Sequence, residues 1–97
     1  MRWSAFHDPL TGLHNRLYAQ NEILRMEYSR YYPIAVFNID LDGLKAINDH
    51  HGHEAGDEYI QSAAEVMRRV FRNEDLVARM GGDEFLALVP QTNESGV

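Results

Sequence analysis

The sequence predicts a small α/β domain, an α+β sandwich in which helices pack on a short sheet. Three observations predict it. Ile34-Ala35-Val36-Phe37-Asn38-Ile39 is a nearly continuous apolar run and reads as a strand covered on both faces. From about Ala55 to Phe71, apolar residues recur at three- and four-residue spacing, the pattern of one buried helical face. Two further apolar stretches flank Gly81-Gly82, the signature of a β-hairpin. With an earlier helix, the order is helix, strand, helix, hairpin.

Each element has a local cause. Asp8-Pro9-Leu10-Thr11-Gly12 is turn chemistry, with Pro fixing one backbone angle and Gly permitting another. Asn15 suits a helix N-cap. Arg16 to about Arg30 is rich in helix formers, with Leu17, Ile23, Leu24 and Tyr28 available for a buried face, and Pro33 closes it. The first strand runs into Asp40-Leu41-Asp42-Gly43. Leu44 to Asn48 predicts a short helical turn, and His50-His51-Gly52-His53 a loop. In the long helix, Ile60, Ala63, Ala64, Met67, Val70 and Phe71 form the expected core face. Strands follow over Leu76 to Met80 and Glu84 to Val89, with positive φ expected at the glycine turn between them. Pro90 ends the second strand, and Gln91 to Val97 reads as loop.

Composition bounds the function. The chain has 97 residues, one small domain at most, with 44% hydrophobic and 25% charged residues, the balance of an ordinary globular protein. A formal net charge of −6 argues against a nucleic-acid backbone or an anionic membrane surface as partner. It leaves room for a nucleotide whose charge a metal ion neutralises. Cysteine is absent, which excludes disulfides and thiolate metal sites. No apolar run is long enough to span a bilayer, and no signal peptide is evident. Met1 to His7 reads as a linker or start segment.

Four constellations can carry chemistry. Asp40 with Asp42 lies just past a strand, and Asp83 with Glu84 lies at a hairpin tip. If the first strand neighbours the hairpin, both acidic groups meet at one sheet edge, where hard oxygen donors suit Mg²⁺. The competing reading of Asp83-Glu84 is a solvated turn. Gly43 can let backbone amides face phosphate oxygens, or it is an ordinary turn glycine. Asn48 and Asp57 can together read a guanine edge, the carboxylate accepting two N–H protons. Singly they read as a cap and a first-turn acid. His50, His51 and His53 are close enough in sequence to chelate a transition metal, but no further ligand stands at a standard spacing.

These pieces together resemble the GGDEF domain of diguanylate cyclases. Asp8-Pro9-Leu10-Thr11-Gly12-Leu13 with Asn15-Arg16 resembles the segment that opens such domains. Asp40-Leu41-Asp42, Lys45, Ile47-Asn48-Asp49, Gly52-His53 and Gly56-Asp57 resemble the next block. Gly81-Gly82-Asp83-Glu84-Phe85 is the signature itself.

The resemblance implies a nucleotide-cyclase, palm-like sheet and a reaction condensing two GTP into cyclic di-GMP and pyrophosphate. Mg²⁺ or Mn²⁺ would be held by Asp40, the Leu41 carbonyl, Asp83 and Glu84, with Asp83 and Glu84 also catalytic. Substrate contacts would come from Asn48, Asp57, Gly43, Leu44 and His53. Arg72 and Asp75, with Arg79, would form a product-inhibition site, and Asp8 would pair with Arg79. Two domains would face each other as a homodimer, each with one GTP. The location implied is cytoplasmic, free or as part of a membrane-anchored sensor protein whose sensor domain lies outside this chain. Leu44 stands where the family usually has Phe.

The family's domain continues past the hairpin and carries its phosphate-gripping basic residues there. The chain therefore reads as the N-terminal portion, residues 1–97 of a longer domain, and the fragment alone is expected to be inactive. Two other readings compete: a non-catalytic receptor for GTP or cyclic di-GMP, and a truncated piece that self-associates through an exposed sheet edge.

Overall fold

The computed structural model describes residues 5–27 and 33–90. The elements are α1 (Arg16–Glu27), β1 (Ile34–Asp40), α2 (Leu44–His51), α3 (His53–Val70), β2 (Leu76–Arg79) and β3 (Glu84–Pro90). The strands form one antiparallel sheet in the order β1-β3-β2. β3 is therefore flanked on both sides, and Phe85, Leu86, Ala87 and Leu88 are all buried. Its alternating side chains feed two cores. Phe85 and Ala87 join Val77, Leu13 and the α3 residues Ile60, Ala64 and Met67 on one face. Leu86 and Leu88 join Leu76, Ala78 and Ala19 on the other, with Tyr18, Ile23 and Met26 of α1 packed around them. The result is the expected sandwich, with α3 on one face of the sheet and α1 on the other.

Asn15 caps α1 as expected: its Oδ1 accepts the Tyr18 amide at 3.0 Å, and its carbonyl accepts Ala19 N–H at 3.1 Å. The buried face of α1 differs from expectation. Leu17 and Leu24 are 52% and 57% exposed, whereas Ala19 is fully buried. A small side chain lets the helix backbone approach β2, so the face is set by Ala19 and Ile23, and Leu17 and Leu24 point away. Tyr28 lies outside the described residues, as does Gln91 to Val97. The segment before α1 is stitched to it, because Asn15 N–H donates to the Phe6 carbonyl and Asn15 Nδ2 to the Ala5 carbonyl.

β1 was expected to be covered on both faces, but Val36 and Phe37 are exposed. Among the described residues β1 pairs only with β3, so it is an edge strand here. Val70 is likewise 66% exposed, because the sheet beneath the end of α3 stops at β1. The short turn after Gly43 is a full two-turn helix, α2, and the predicted histidine loop does not exist. α2 runs through His51 and α3 starts at His53, with only Gly52 between them.

The hairpin also closes differently. Gly81 and Gly82 do not take positive φ. The turn spans Met80 to Asp83, longer than the two-residue turn that demands it. The Arg79 side chain ties it down, with Nε donating to the Gly81 carbonyl at 3.1 Å and Nη2 to the Gly82 carbonyl at 3.0 Å. Pro90 does not precede the strand's end but pairs with Ile34 as its last residue.

Candidate functional site

Register brings the acids together. Asp40, the last residue of β1, is the direct cross-strand partner of Glu84, the first of β3. One residue further, the Leu41 amide donates to the Asp83 carbonyl at 2.9 Å, so the two chains remain fastened where the strands end. Alternation places Asp40, Asn38, Glu84 and Leu86 on the α1 face. These four line a cavity of about 200 Å³ with Arg16, Met80 and Phe85. The carboxylates of Asp40, Asp42, Asp83 and Glu84 are all exposed.

Among the described residues no three His or acidic side chains stand ready as a metal cage. The donor set still fits Mg²⁺ or Mn²⁺. Two facing carboxylates, a hairpin-tip carboxylate and the Leu41 carbonyl are hard oxygens, and Mg²⁺ completes its shell with water and phosphate rather than with more protein. The histidines do not converge. His50 has its Nδ1 2.8 Å from the Ala46 carbonyl of its own helix, and His53 opens the next helix.

The segment after Asp40 is shaped for backbone contact. Gly43 adopts φ 79° and ψ 8°, a left-handed conformation that glycine takes without strain. It caps α2 without a side-chain hydrogen bond, so the first amides of α2, beginning at Leu44, have no partner within the helix. The Tyr59 hydroxyl donates to the Asp42 carbonyl at 2.7 Å and ties this turn to α3.

Asn48 and Asp57 come near each other through Gly56. A Cβ at Gly56 would collide with the Asn48 carboxamide and crowd Leu44. The lack of a side chain therefore lets α2 lie against the first turn of α3, beside Asp57. Gly56 entered the sequence reading only as part of the family resemblance, without its packing role, and Tyr59 was not singled out. A glycine inside a strong helical pattern is the signal for the first; the second carries none.

Arg72 and Asp75 face each other across the turn between α3 and β2. The Arg72 amide donates to Asp75 Oδ2 at 2.8 Å, and the Asp75 amide to the Arg72 carbonyl at 3.0 Å. The Arg72 guanidinium lies 3.5 Å from Glu74. This turn walls a cavity of about 380 Å³ that also touches His7, His14 and Arg68. Burial, then the neighbouring His7, holds the His14 imidazole below the usual histidine pKa, and its Nδ1 is buried without a hydrogen bond.

Arg79 and Asp8 form an ion pair at 3.2 Å, both largely buried. Asp8 Oδ2 also accepts the Thr11 amide and hydroxyl, each at 2.9 Å. With the two turn carbonyls, this engages every nitrogen of the Arg79 guanidinium in the fold.

An antiparallel sheet sandwiched by helices, with acids meeting where β1 and an acid-tipped hairpin end, defines a nucleotide-cyclase type of domain. The family model described as "Diguanylate cyclase, GGDEF domain" matches residues 5–97, and the chain belongs to that family. It is 46% identical over 91 residues to an uncharacterised protein of Mycobacterium tuberculosis (strain H37Rv), covering 93% of this chain and 14% of that protein. It is 41% identical over 96 residues to the probable diguanylate cyclase DgcE of Escherichia coli K12, covering 96% of this chain and 9% of DgcE. The crystal structure of the coiled coil and GGDEF domain of DgcB from Caulobacter crescentus, in complex with c-di-GMP, matches with a TM-score of 0.87 at 32% identity. That match covers 98% of this chain and 51% of that one. The chain thus spans a small part of its curated relatives and about half of the solved chain.

Among the described residues no helix is long and apolar enough to cross a membrane.

Proposed function

We propose that this chain contributes the metal and guanine half of a diguanylate cyclase active site, condensing two GTP into cyclic di-GMP. The observation that carries the reading is the pairing of Asp40 with Glu84 and of Leu41 with Asp83 at one sheet edge. Asp40, the Leu41 carbonyl, Asp83 and Glu84 would hold Mg²⁺ or Mn²⁺, which when bound neutralises charge at the reacting phosphate. Asn48 and Asp57 take the guanine edge. The first amides of α2 at Gly43 and Leu44 take phosphate oxygens, and His53 lies at the same helix junction.

The chemistry asks the protein mainly for position. Each 3′-hydroxyl must lie in line with the α-phosphate of the other GTP, so two domains face each other. Asp83 and Glu84 stand at an exposed hairpin tip, where they can meet a nucleotide carried by the facing copy. At the tip, a Cβ on Gly82 would meet no neighbour, so the turn presents bare backbone to that approach. The Arg72–Asp75 turn is assigned to product binding: an Arg pairs with phosphate and a carboxylate accepts from guanine. Arg79, committed to Asp8 and the turn carbonyls, serves there by shaping the fold.

The test is incubation of the protein as encoded in its gene with GTP and Mg²⁺, scoring cyclic di-GMP and pyrophosphate. Asp83→Asn and Glu84→Gln should each lower kcat by at least about 10²-fold, the range seen when a group stabilising charge in the transition state is removed. Full activity in both variants would remove the acid corner from the mechanism.

A further inference from the structure

The acid corner holds one basic side chain that the reading above does not use. Arg16 lines the 200 Å³ cavity together with Asp40, Asn38, Glu84 and Leu86. It is the first residue of α1, directly after the Asn15 cap. Leu86 and Leu88 pack toward α1, so the face carrying Asp40 and Glu84 is the one that Arg16 overlooks.

Two features set Arg16 apart. The first is that it lacks a partner while bordering the acid corner; Arg69 also makes no pair among the described residues, but it stands on α3 and lines no part of that cavity. Arg25, Lys45, Arg68, Arg72 and Arg79 each lie within 4.0 Å of a carboxylate. Arg16 borders two carboxylates, yet among the described residues it makes neither an ion pair nor a hydrogen bond, and its side chain is exposed. The second is position. A cation in the first turn of a helix opposes the helix dipole, which favours anions there. α1 has no acidic residue in its first turn to offset it. Neither the helix nor an internal pair accounts for this guanidinium, whereas an anionic ligand at the corner would.

We propose that Arg16 is a phosphate ligand of the same site, donating to a triphosphate oxygen of the nucleotide bound at Asp40 and Glu84. This rests on the assignment of that corner to GTP and a divalent ion. The electrostatic need is plain: Asp40, Asp42, Asp83 and Glu84 crowd one end of the sheet, and a triphosphate adds further negative charge. A divalent ion offsets part of it. A planar guanidinium, which pairs with phosphate through two parallel N–H donors, offsets more and fixes orientation.

The experiment measures binding of MgGTP and of guanosine to the protein as encoded, comparing wild type, Arg16→Ala and Arg16→Lys, with thermal melting of each. Arg16→Ala should weaken MgGTP about tenfold or more and leave guanosine unchanged. Arg16→Lys should fall between, because Lys offers a point charge without the fork. The melting temperature of Arg16→Ala should stay level or rise, since the substitution removes a cation from the helix start. Equal MgGTP binding in wild type and Arg16→Ala overturns the proposal. So does parallel weakening of MgGTP and guanosine with a lowered melting temperature, which would mark a structural role. If wild type binds guanosine but not MgGTP, or binds neither, the assignment of the corner itself falls.

Discussion

At the scale of single residues, the same few side chains hold the fold and shape the site. Arg79 ties Asp8 to the hairpin turn, so the segment that precedes α1 is anchored to the loop that presents Asp83 and Glu84. Because both of its members are mostly removed from water and hydrogen-bonded, the Arg79–Asp8 pair outweighs the Arg25–Glu22 and Lys45–Asp49 pairs, in each of which the cation is exposed and its charge screened. His14 works in the other direction. It stacks on Tyr18 with ring centroids 4.1 Å apart, and its folded pKa is lowered. The unfolded chain then binds the proton more readily than the fold. Stability is intact above the ordinary histidine value near 6.5 and falls as pH drops below it. Urea titrations at pH 7.5 and 5.5 should show this loss, and His14→Phe, which keeps the stack, should reduce it. An unchanged loss in the variant would show that other groups carry the effect.

At the scale of elements, the sequence was most legible where pattern and packing agree. β3 and α3 were readable because strong apolar periodicity coincides with burial. The acid corner was legible in kind, since Asp40 and Asp83-Glu84 end apolar strands, but the strand pairing that makes them neighbours is a long-range fact. The cover expected for β1 failed because periodicity reports what a strand prefers, not what lies beside it. The face of α1 was misread because Leu17 and Leu24 outweigh Ala19 in any hydrophobic count, while geometry favours the small residue against β2. The α2–α3 junction was read as a histidine loop because Gly52 suggests a break. It is a one-residue corner, held by Gly56 against Asn48. Gly56→Ala should therefore destabilise the domain by about 1–3 kcal/mol, the usual penalty of overpacking. It should also weaken guanosine binding more than a distant substitution of equal thermodynamic effect. Guanosine affinity unchanged in a folded Gly56→Ala protein would separate the Asn48 position from base recognition.

At the scale of the whole molecule, the sheet places two kinds of chemistry at different ends of the chain's path. The acids, the α2 amides and the Asn48–Asp57 junction cluster where β1 ends and β3 begins. The Arg72–Asp75 turn opens a separate cavity between α3, β2 and the segment before α1. β2 runs from beside that cavity, which Val77 lines, to Arg79, the residue that ties down the hairpin turn. That arrangement follows from antiparallel order and could not be read from one-dimensional spacing.

The proposed function makes the acid corner the place where a divalent ion and a guanine nucleotide meet. Its most direct test is amide-resolved NMR of the protein titrated with substoichiometric Mn²⁺ in the presence of GTP, because a paramagnetic ion broadens its neighbours. The Asp40 to Gly43 and Asp83 to Glu84 signals should be lost selectively, sparing His50 to His53, with the pattern abolished in Asp40→Asn. Broadening centred on His50 to His53, or none at the β1–β3 end, would contradict it.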